Sequence, residues 1–325
     1  MLNPSTNAKN PEMNHRQVDS FLAPSITKAA SQQTYYTIRC LVDRERVADA
    51  YRAYAYFRWV DDVLDAESGS GLERSVFVER QKSLLEKCYR GEPPCDAEIH
   101  EMMLVELIRR DNEKNSGLQS YLRNMMAVMS FDAGRRGRLV TQIELNEYTR
   151  LLASAVTEAM HYFVGHSCYS PQNETRYLAV SAAHITHMLR DTYDDVRAGY
   201  FNIPREVLDA NHITPQDVQS DVYRVWVRNR VRLARAYFKA GREYLNQVRN
   251  LRCRLAGFMY AARFEWLLDT IEKEDFYLRP QYDERKSFST GVRMSLNTLS
   301  SIVNWRGAGS LPQAIPAREH SLKEL

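Results

Sequence analysis

Asp61, Asp62 and Asp65 fall within five positions of one segment, FRWVDDVLDAE, whose other residues read as a buried helix. Like charges on one helix face repel one another, so three carboxylates there call for a cation. At three-and-four spacing Tyr51, Tyr54, Arg58, Asp61, Asp62 and Asp65 share a face. A second segment, HITHMLRDTYDD, repeats the arrangement. In it His184, His187, Asp191 and Asp195 form one stripe, with Asp194 at its edge and Arg190 beside it. One acidic patch is most often a solvated helix face. Two patches flanked by apolar and aromatic residues (YAYFRWV, ITHML) point instead to buried acids, which must be paired or bind metal. Mg²⁺ is a hard cation that favours carboxylates and substrate phosphates. Facing stripes could hold a group of Mg²⁺ ions bridged by a diphosphate, with Arg58 and Arg190 completing the neutralisation.

Such stripes need long helices to carry them, and the chain supplies these almost throughout. Helical periodicity predicts elements near 24–41, 44–66, 72–90, 96–111, 118–133, 142–168, 174–198, 221–249, 252–278 and 289–304. The breaks carry turn chemistry: SGSG, GEPP, NSG, SPQN and ITPQD. No strand-like alternation competes. The expected fold is all-α, a single large helical bundle around a central cavity, with the site built from facing helices. Residues 1–22 and 305–325 are polar and read as disordered or flexible ends.

Composition narrows the function classes. A net charge of +3 over 325 residues gives no reason to expect nucleic-acid binding. Five scattered cysteines without metal-type spacing suggest reduced thiols and a cytoplasmic setting. The longest apolar run, LLASAVTEAMHYFVG, is too short to span a bilayer and carries Glu158. The basic run RVRLARAYFKAGR reads as a solvated face, or as a surface for peripheral contact with anionic lipid. GRRGR at 134–138 is a cationic loop near the expected site mouth, and Tyr223, Trp226, Arg230, Leu233, Tyr237 and Tyr244 read as a helix-contact stripe.

Several motifs in order resemble the squalene/phytoene synthase family. DDVLD at 61–65, preceded by Arg58, is similar to its first aspartate-rich motif. LRDTYDDVRAGYFNIPRE at 189–206 resembles the second motif and its tail. RLVTQIELNEYTRLLASAVTEAM resembles the block between them, with Thr141, Glu144, Leu145 and Tyr148 in place. The resemblance implies an isoprenoid synthase domain over 23–304. It implies Mg²⁺-assisted loss of diphosphate from an allylic prenyl diphosphate, with two or three ions, and head-to-head condensation of two such substrates. By position, Asp61, Asp65, Asp191 and Asp195 would be metal ligands supported by Asp62 and Asp194. Arg58 and Arg190 would bind diphosphate, and Tyr54 and Tyr148 would line the reacting centre.

The chain departs from that pattern at several positions. The N-terminal Ser-x-Ser-Phe signature appears as QQTYY, which places Thr34 and Tyr35 at the substrate-binding Ser-Phe pair. The VAGTVG-like stretch appears as LASAVT, so Ser154 and Thr157 stand where glycines would admit a close substrate approach. His184 and His187 replace Gln and Asn upstream of LRD. Arg279 takes the place of a late diphosphate arginine, and Tyr260 or Phe264 that of a late aromatic. His187, one turn before Asp191, is expected to face the site, where it could ligate metal, bind diphosphate or accept a proton from a carbocation. The ionisation machinery is intact and the cavity around it is altered. That leaves a terpene cyclase on the same scaffold as the nearest alternative, and an inactive assembly or scaffold protein as a remoter one. NADPH use stays open, since the missing dinucleotide fingerprint does not bear on how a bundle would bind it. A monomer or homodimer is expected.

Overall fold

The computed structural model describes residues 11–66, 70–166 and 168–282, with side chains from residue 21 onward. Among the described residues it holds eleven α-helices and no strand. In chain order these are α1 (Pro11–Ala30), α2 (Gln32–Leu41), α3 (Val47–Asp65), α4 (Gly71–Tyr89), α5 (Glu101–Arg110) and α6 (Gly117–Arg135). There follow α7 (Gln142–Phe163), α8 (Leu178–Ala198), α9 (Arg205–Asn211), α10 (Asp221–Gln247) and α11 (Leu251–Lys273).

The helix starts follow from the sequence. Ser31, Ser70, Ser116, Thr141, Ser220 and Asn250 each cap a helix by accepting a backbone N–H from the residue three further on. At Ser70–Glu73 and Thr141–Glu144 the glutamate reaches back to the cap's own N–H, forming reciprocal capping boxes. Two residues that carry the family resemblance, Thr141 and Glu144, therefore start α7. Cap hydrogen bonds together with the Arg138 partner hold the Glu144 carboxyl down to about 2.

Several expected boundaries move. The segment expected as one helix over 24–41 breaks at Ser31, whose extended backbone and side-chain cap begin α2. Its first half extends back to Pro11, so 11–22, expected to be disordered, is helical. The element expected over 142–168 ends at Phe163, before Gly165 at φ 73°. The one expected to reach 278 stops at Lys273, ahead of Asp275 and Phe276 at positive φ. A short helix, α9, follows Pro204 at the end of the stretch that resembles the second motif's tail. The helix expected at 289–304 and the tail at 305–325 lie outside the described residues.

Among the described residues two large apolar cores form, with a small cluster of Val140, Leu145 and Met188 beside them. One joins α1 to α6 with α7 and includes Tyr56, Leu104, Leu107 and Leu122. The other joins α8, α10 and α11 around Ile185, Leu189, Phe238 and Leu268. Helix α6 packs along α7, α7 on α8, and α8 on α10, so α7 is the seam between the halves. Gly241 sets the α8–α10 approach: a Cβ there would lie 2.6 Å from Ala179 backbone N, closer than packing allows. All five cysteines are free, and no described helix is long and apolar enough to cross a membrane.

Candidate active site

A cavity of about 680 Å³ opens where the ends of α3, α6 and α8 meet beside α7. Its volume falls within the range of ordinary small-molecule sites. Asp61 and Asp65 reach it from α3, and Asp191, Asp194 and Asp195 from α8. The two acidic stripes therefore share one site, as expected of facing helices. Leu64, Tyr148, His184 and Met188 supply the less polar wall.

A sixth acid, Asp132 of α6, joins them and was not singled out from the sequence. Tyr148 donates its hydroxyl to Asp132 at 2.9 Å, while Arg135 Nε donates to the other oxygen at 2.7 Å. Arg135 also donates to Asn202 at 2.8 Å, and Asn202 donates to Asp195 at 2.6 Å. The guanidinium of Arg135 lies over the rings of Tyr148 and Tyr200, at 4.9 and 5.0 Å. A polar chain thus links Tyr148 on α7 to Asp195 on α8. Its anchor is the turn after α8. Gly199 at φ 84° ends the helix and accepts the Gly137 N–H at 2.7 Å. Arg136 donates to the Ala198 carbonyl at 3.0 Å. Two of the arginines of the GRRGR run are thus built into the wall rather than left on a free loop. The signals available in the sequence were the Asp132–Arg135 spacing inside an apolar helix and Asn202 in the tail of the second motif.

The carboxylates divide electrostatically. Burial, then the neighbouring Asp65 charge, pushes Asp61 up to about 6 against the opposing pull of Arg58. Burial and the Asp191 charge push Asp195 up to about 7. Asp132 is likewise raised by burial, with Arg135 opposing. Asp191 behaves oppositely. Burial acts to raise it, but hydrogen bonds from His187 and Arg190 outweigh that and hold it well below the usual range. Arg190 grips Asp191 through Nε and Nη2 at 2.6 and 2.7 Å, and His187 Nε2 lies 2.8 Å from the same carboxylate. Arg58 pairs with Asp61 at 3.3 Å and with Asp62.

Other expected residues sit elsewhere. Asp62 is exposed and bonds Arg58 rather than facing the cavity. Asp194 lines the rim and pairs with Arg197. Arg58 and Arg190 clamp aspartates of their own helices and are absent from the cavity wall. Tyr54 is half-buried beside Arg58 and Asp61 and hydrogen-bonds Thr34. Tyr35 stacks on Tyr51 at 5.3 Å, away from the cavity. Arg279 is held by Glu274 beyond the end of α11 and does not reach the site. Ser154 and Thr157 do not line the cavity either. Thr157 is packed inside at 4% exposure, because α7 turns that face into the protein rather than toward the opening. His184 is buried against Tyr148, with ring centroids 5.0 Å apart. In the basic run of α10, Arg235 and Arg242 are engaged by Asp269, Glu272 and Glu265 of α11.

The residues suit Mg²⁺ as ligands without forming a closed cage. Among the described residues no three His, Cys, Asp or Glu side chains converge to hold one ion. The donors are hard carboxylate oxygens, with Asp61 and Asp195 raised by burial and then by neighbouring carboxylates. Mg²⁺ characteristically takes one or two carboxylates and completes its shell with water and substrate phosphates. Asp61, Asp65, Asp191 and Asp195 are the residues that would hold it.

Known proteins agree with this architecture. A chloroplastic phytoene synthase of Zea mays is 25% identical over 75% of this chain and 57% of its own length. A presqualene diphosphate synthase of Zymomonas mobilis is 28% identical over 60% of this chain and 63% of its own. The chain thus aligns with less than two thirds of the length of either relative. A dehydrosqualene synthase crystal structure superposes with a TM-score of 0.65 at 15% identity, covering 92% of this chain and all of that one. A squalene synthase from Alicyclobacillus acidocaldarius gives 0.63 at 18% identity, covering 82% of this chain and 97% of that one. The squalene/phytoene synthase family profile matches residues 27–291, and the chain belongs to that family.

Proposed function

We propose that the protein is a Mg²⁺-dependent prenyltransferase that ionises an allylic prenyl diphosphate and joins two prenyl diphosphates head to head. The observation that carries this reading is the convergence of two acidic stripes on one cavity with a less polar wall. When bound, Mg²⁺ would supply charge neutralisation for the departing diphosphate. The chain's residues do the rest. Asp61, Asp65, Asp191 and Asp195 hold the cationic end of the site. Arg58 and Arg190, each paired with an aspartate of its own helix, would meet phosphate oxygens by turning from those aspartates once these are engaged. Tyr148, fixed by Asp132, orients the reacting carbons beneath that end. Leu64 and Met188 receive apolar chain and exclude water from the cation.

The cyclase alternative drew support from Ser154 and Thr157 as narrowing residues. Those two lie off the cavity wall, whereas His184 and His187, which favour the same alternative, line it. Incubation with Mg²⁺ and prenyl diphosphates of several chain lengths, followed by mass analysis, tests the reading. Product with twice the substrate's carbon number is expected. Product of unchanged carbon number means cyclisation, and no diphosphate release means an inactive scaffold.

A further inference from the structure

His184 lies on α8, one turn inside His187 and two turns below Asp191. Its side chain lines the cavity although the residue is only 5% exposed. Neither Nδ1 nor Nε2 has a hydrogen-bond partner. Buried polar groups are almost always bonded, and an orphan carries the desolvation cost of the whole group. The polar groups nearby are already committed. Tyr148, which meets the His184 ring edge-on, gives its proton to Asp132. His187, the other candidate acceptor, is half-exposed with Nε2 on Asp191. Among the described residues lining the cavity, His184 is the histidine with neither ring nitrogen bonded. A half-turn about Cβ–Cγ exchanges Nδ1 with Cδ2 and Nε2 with Cε1 at constant shape. A nitrogen can therefore be brought to the cavity wall without displacing a neighbour. Burial holds the imidazole down to about 3, so at neutral pH the ring is uncharged and its lone pair is free.

Resting on the prenyl-diphosphate reading above, we infer that His184 is the base that ends the reaction, taking a proton from the carbon beside the final carbocation. The C–H bond breaks, and its electron pair becomes the second bond of a new C=C while filling the cation's empty orbital. The proton goes to a ring nitrogen. The resulting imidazolium, destabilised by burial, passes its proton to released diphosphate or water and returns to the neutral ring. No oxidant or reductant is consumed. The product class is an olefin formed by proton loss. Capture of water would give an alcohol, and hydride transfer would give a reduced hydrocarbon.

The test uses the full chain with Mg²⁺, the prenyl diphosphate that supports release, and no reductant. Olefin and alcohol are each measured per diphosphate released. The wild type should give olefin as its main product. Alcohol alone, or hydrocarbon appearing only when NADPH is added, overturns the assignment whatever the variants do. In His184→Phe the olefin formed per diphosphate should drop about a hundredfold, the scale of a lost positioned base. His184→Gln, which can accept a hydrogen bond but not a proton, should drop similarly. Full olefin yield in the Gln variant would mean that the residue only positions substrate, and full yield in both would give it no part in the step. Absence of diphosphate release from the wild type strikes the prenyltransferase reading itself, whereas release without olefin strikes only the role of His184.

Discussion

Tyr148 gives its hydroxyl proton to Asp132 at 2.9 Å, and that carboxylate is held from the other side by Arg135 at 2.7 Å. Burial followed by the Asp132 charge holds the Tyr148 phenol far above its ordinary range, so it stays protonated as a donor. Arg135 is 7% exposed. Removing its carboxylate partner leaves a buried charge uncompensated, which costs about 3–5 kcal/mol where it has been measured. Asp132→Ala should therefore lower stability strongly in denaturant titration and slow product formation. Tyr148→Phe removes only one neutral donor and should cost about 1 kcal/mol while still slowing product formation. An Asp132→Ala protein as stable as the wild type would show that the network does not hold the seam together.

Asp61→Asn and Asp191→Asn should both abolish diphosphate release, yet their effects on stability should differ in sign. Asp61 is crowded by Asp65, Asp132 and Asp62, so the neutral amide relieves repulsion and should stabilise by a few tenths of a kcal/mol. Asp191 accepts from Arg190 twice and meets His187, so the amide should cost about 1–2 kcal/mol after allowance for partial exposure. Paired melting curves and a diphosphate assay check this. Retained release in both variants removes the metal–diphosphate assignment.

Helical periodicity made the acidic stripes legible because it reports which residues share a face, and a shared face survives folding unchanged. Asp61 reaches the cavity with Asp65, and Asp191 with Asp195, for that reason. What periodicity does not report is which helices pack together. Asp132 acquires its role only from the α6–α7 contact, which sets it against Tyr148 sixteen residues away. Asn202 reaches Asp195 because Gly199 adopts a left-handed conformation that turns the chain back. Ser154 and Thr157 were placed by similarity to a glycine-rich stretch, and the rotation of α7 about its axis put them off the wall. Ser31 ends one helix and begins another through a local cap that a smooth apolar pattern conceals.

Raised acids and buried neutral histidines pull the pH dependence of the metal-free protein in opposite directions. Asp61 and Asp195 have folded values near 6 and 7, above the 3.8 of an ordinary aspartate. A raised acid favours folding in its protonated form, so its contribution is full below about 4 and is lost as pH rises through 6 to 7. His184 and His161, held neutral by burial at about 3 and 4, pull the other way below 6.5. The acid contribution is therefore read as a difference: the melting temperature of the wild type relative to Asp195→Asn should rise as pH falls from neutrality toward 5. Asp191 is depressed, so its contribution is lost only in stronger acid, below the ordinary aspartate range. Mg²⁺ with inorganic diphosphate should flatten the profile between 5 and 7 by holding both acids ionised. A wild-type advantage over Asp195→Asn that shrinks on acidification from pH 7 would contradict the charge distribution described here.

Ser154 and Thr157 provide a last test of how the cavity is bounded. Glycine at either position was expected to open room for a second prenyl chain if these residues lined the reacting centre. The cavity is instead walled by Leu64, Tyr148, His184 and Met188, and Thr157 is packed inside with its hydroxyl unbonded. Both positions lie in the interior of α7. Glycine there adds backbone freedom to the unfolded chain and removes packed atoms, at a cost of about 0.5–1 kcal/mol for helix propensity alone. Thr157→Gly also deletes buried methyl contacts and should be the more destabilising of the two. Thr157→Val keeps the shape and removes the unbonded hydroxyl, so it should match or exceed wild-type stability. Product length and skeleton should be unchanged in all three variants, as read by mass spectrometry of the extracted products. A shift toward longer products in the glycine variants would return these residues to the substrate channel.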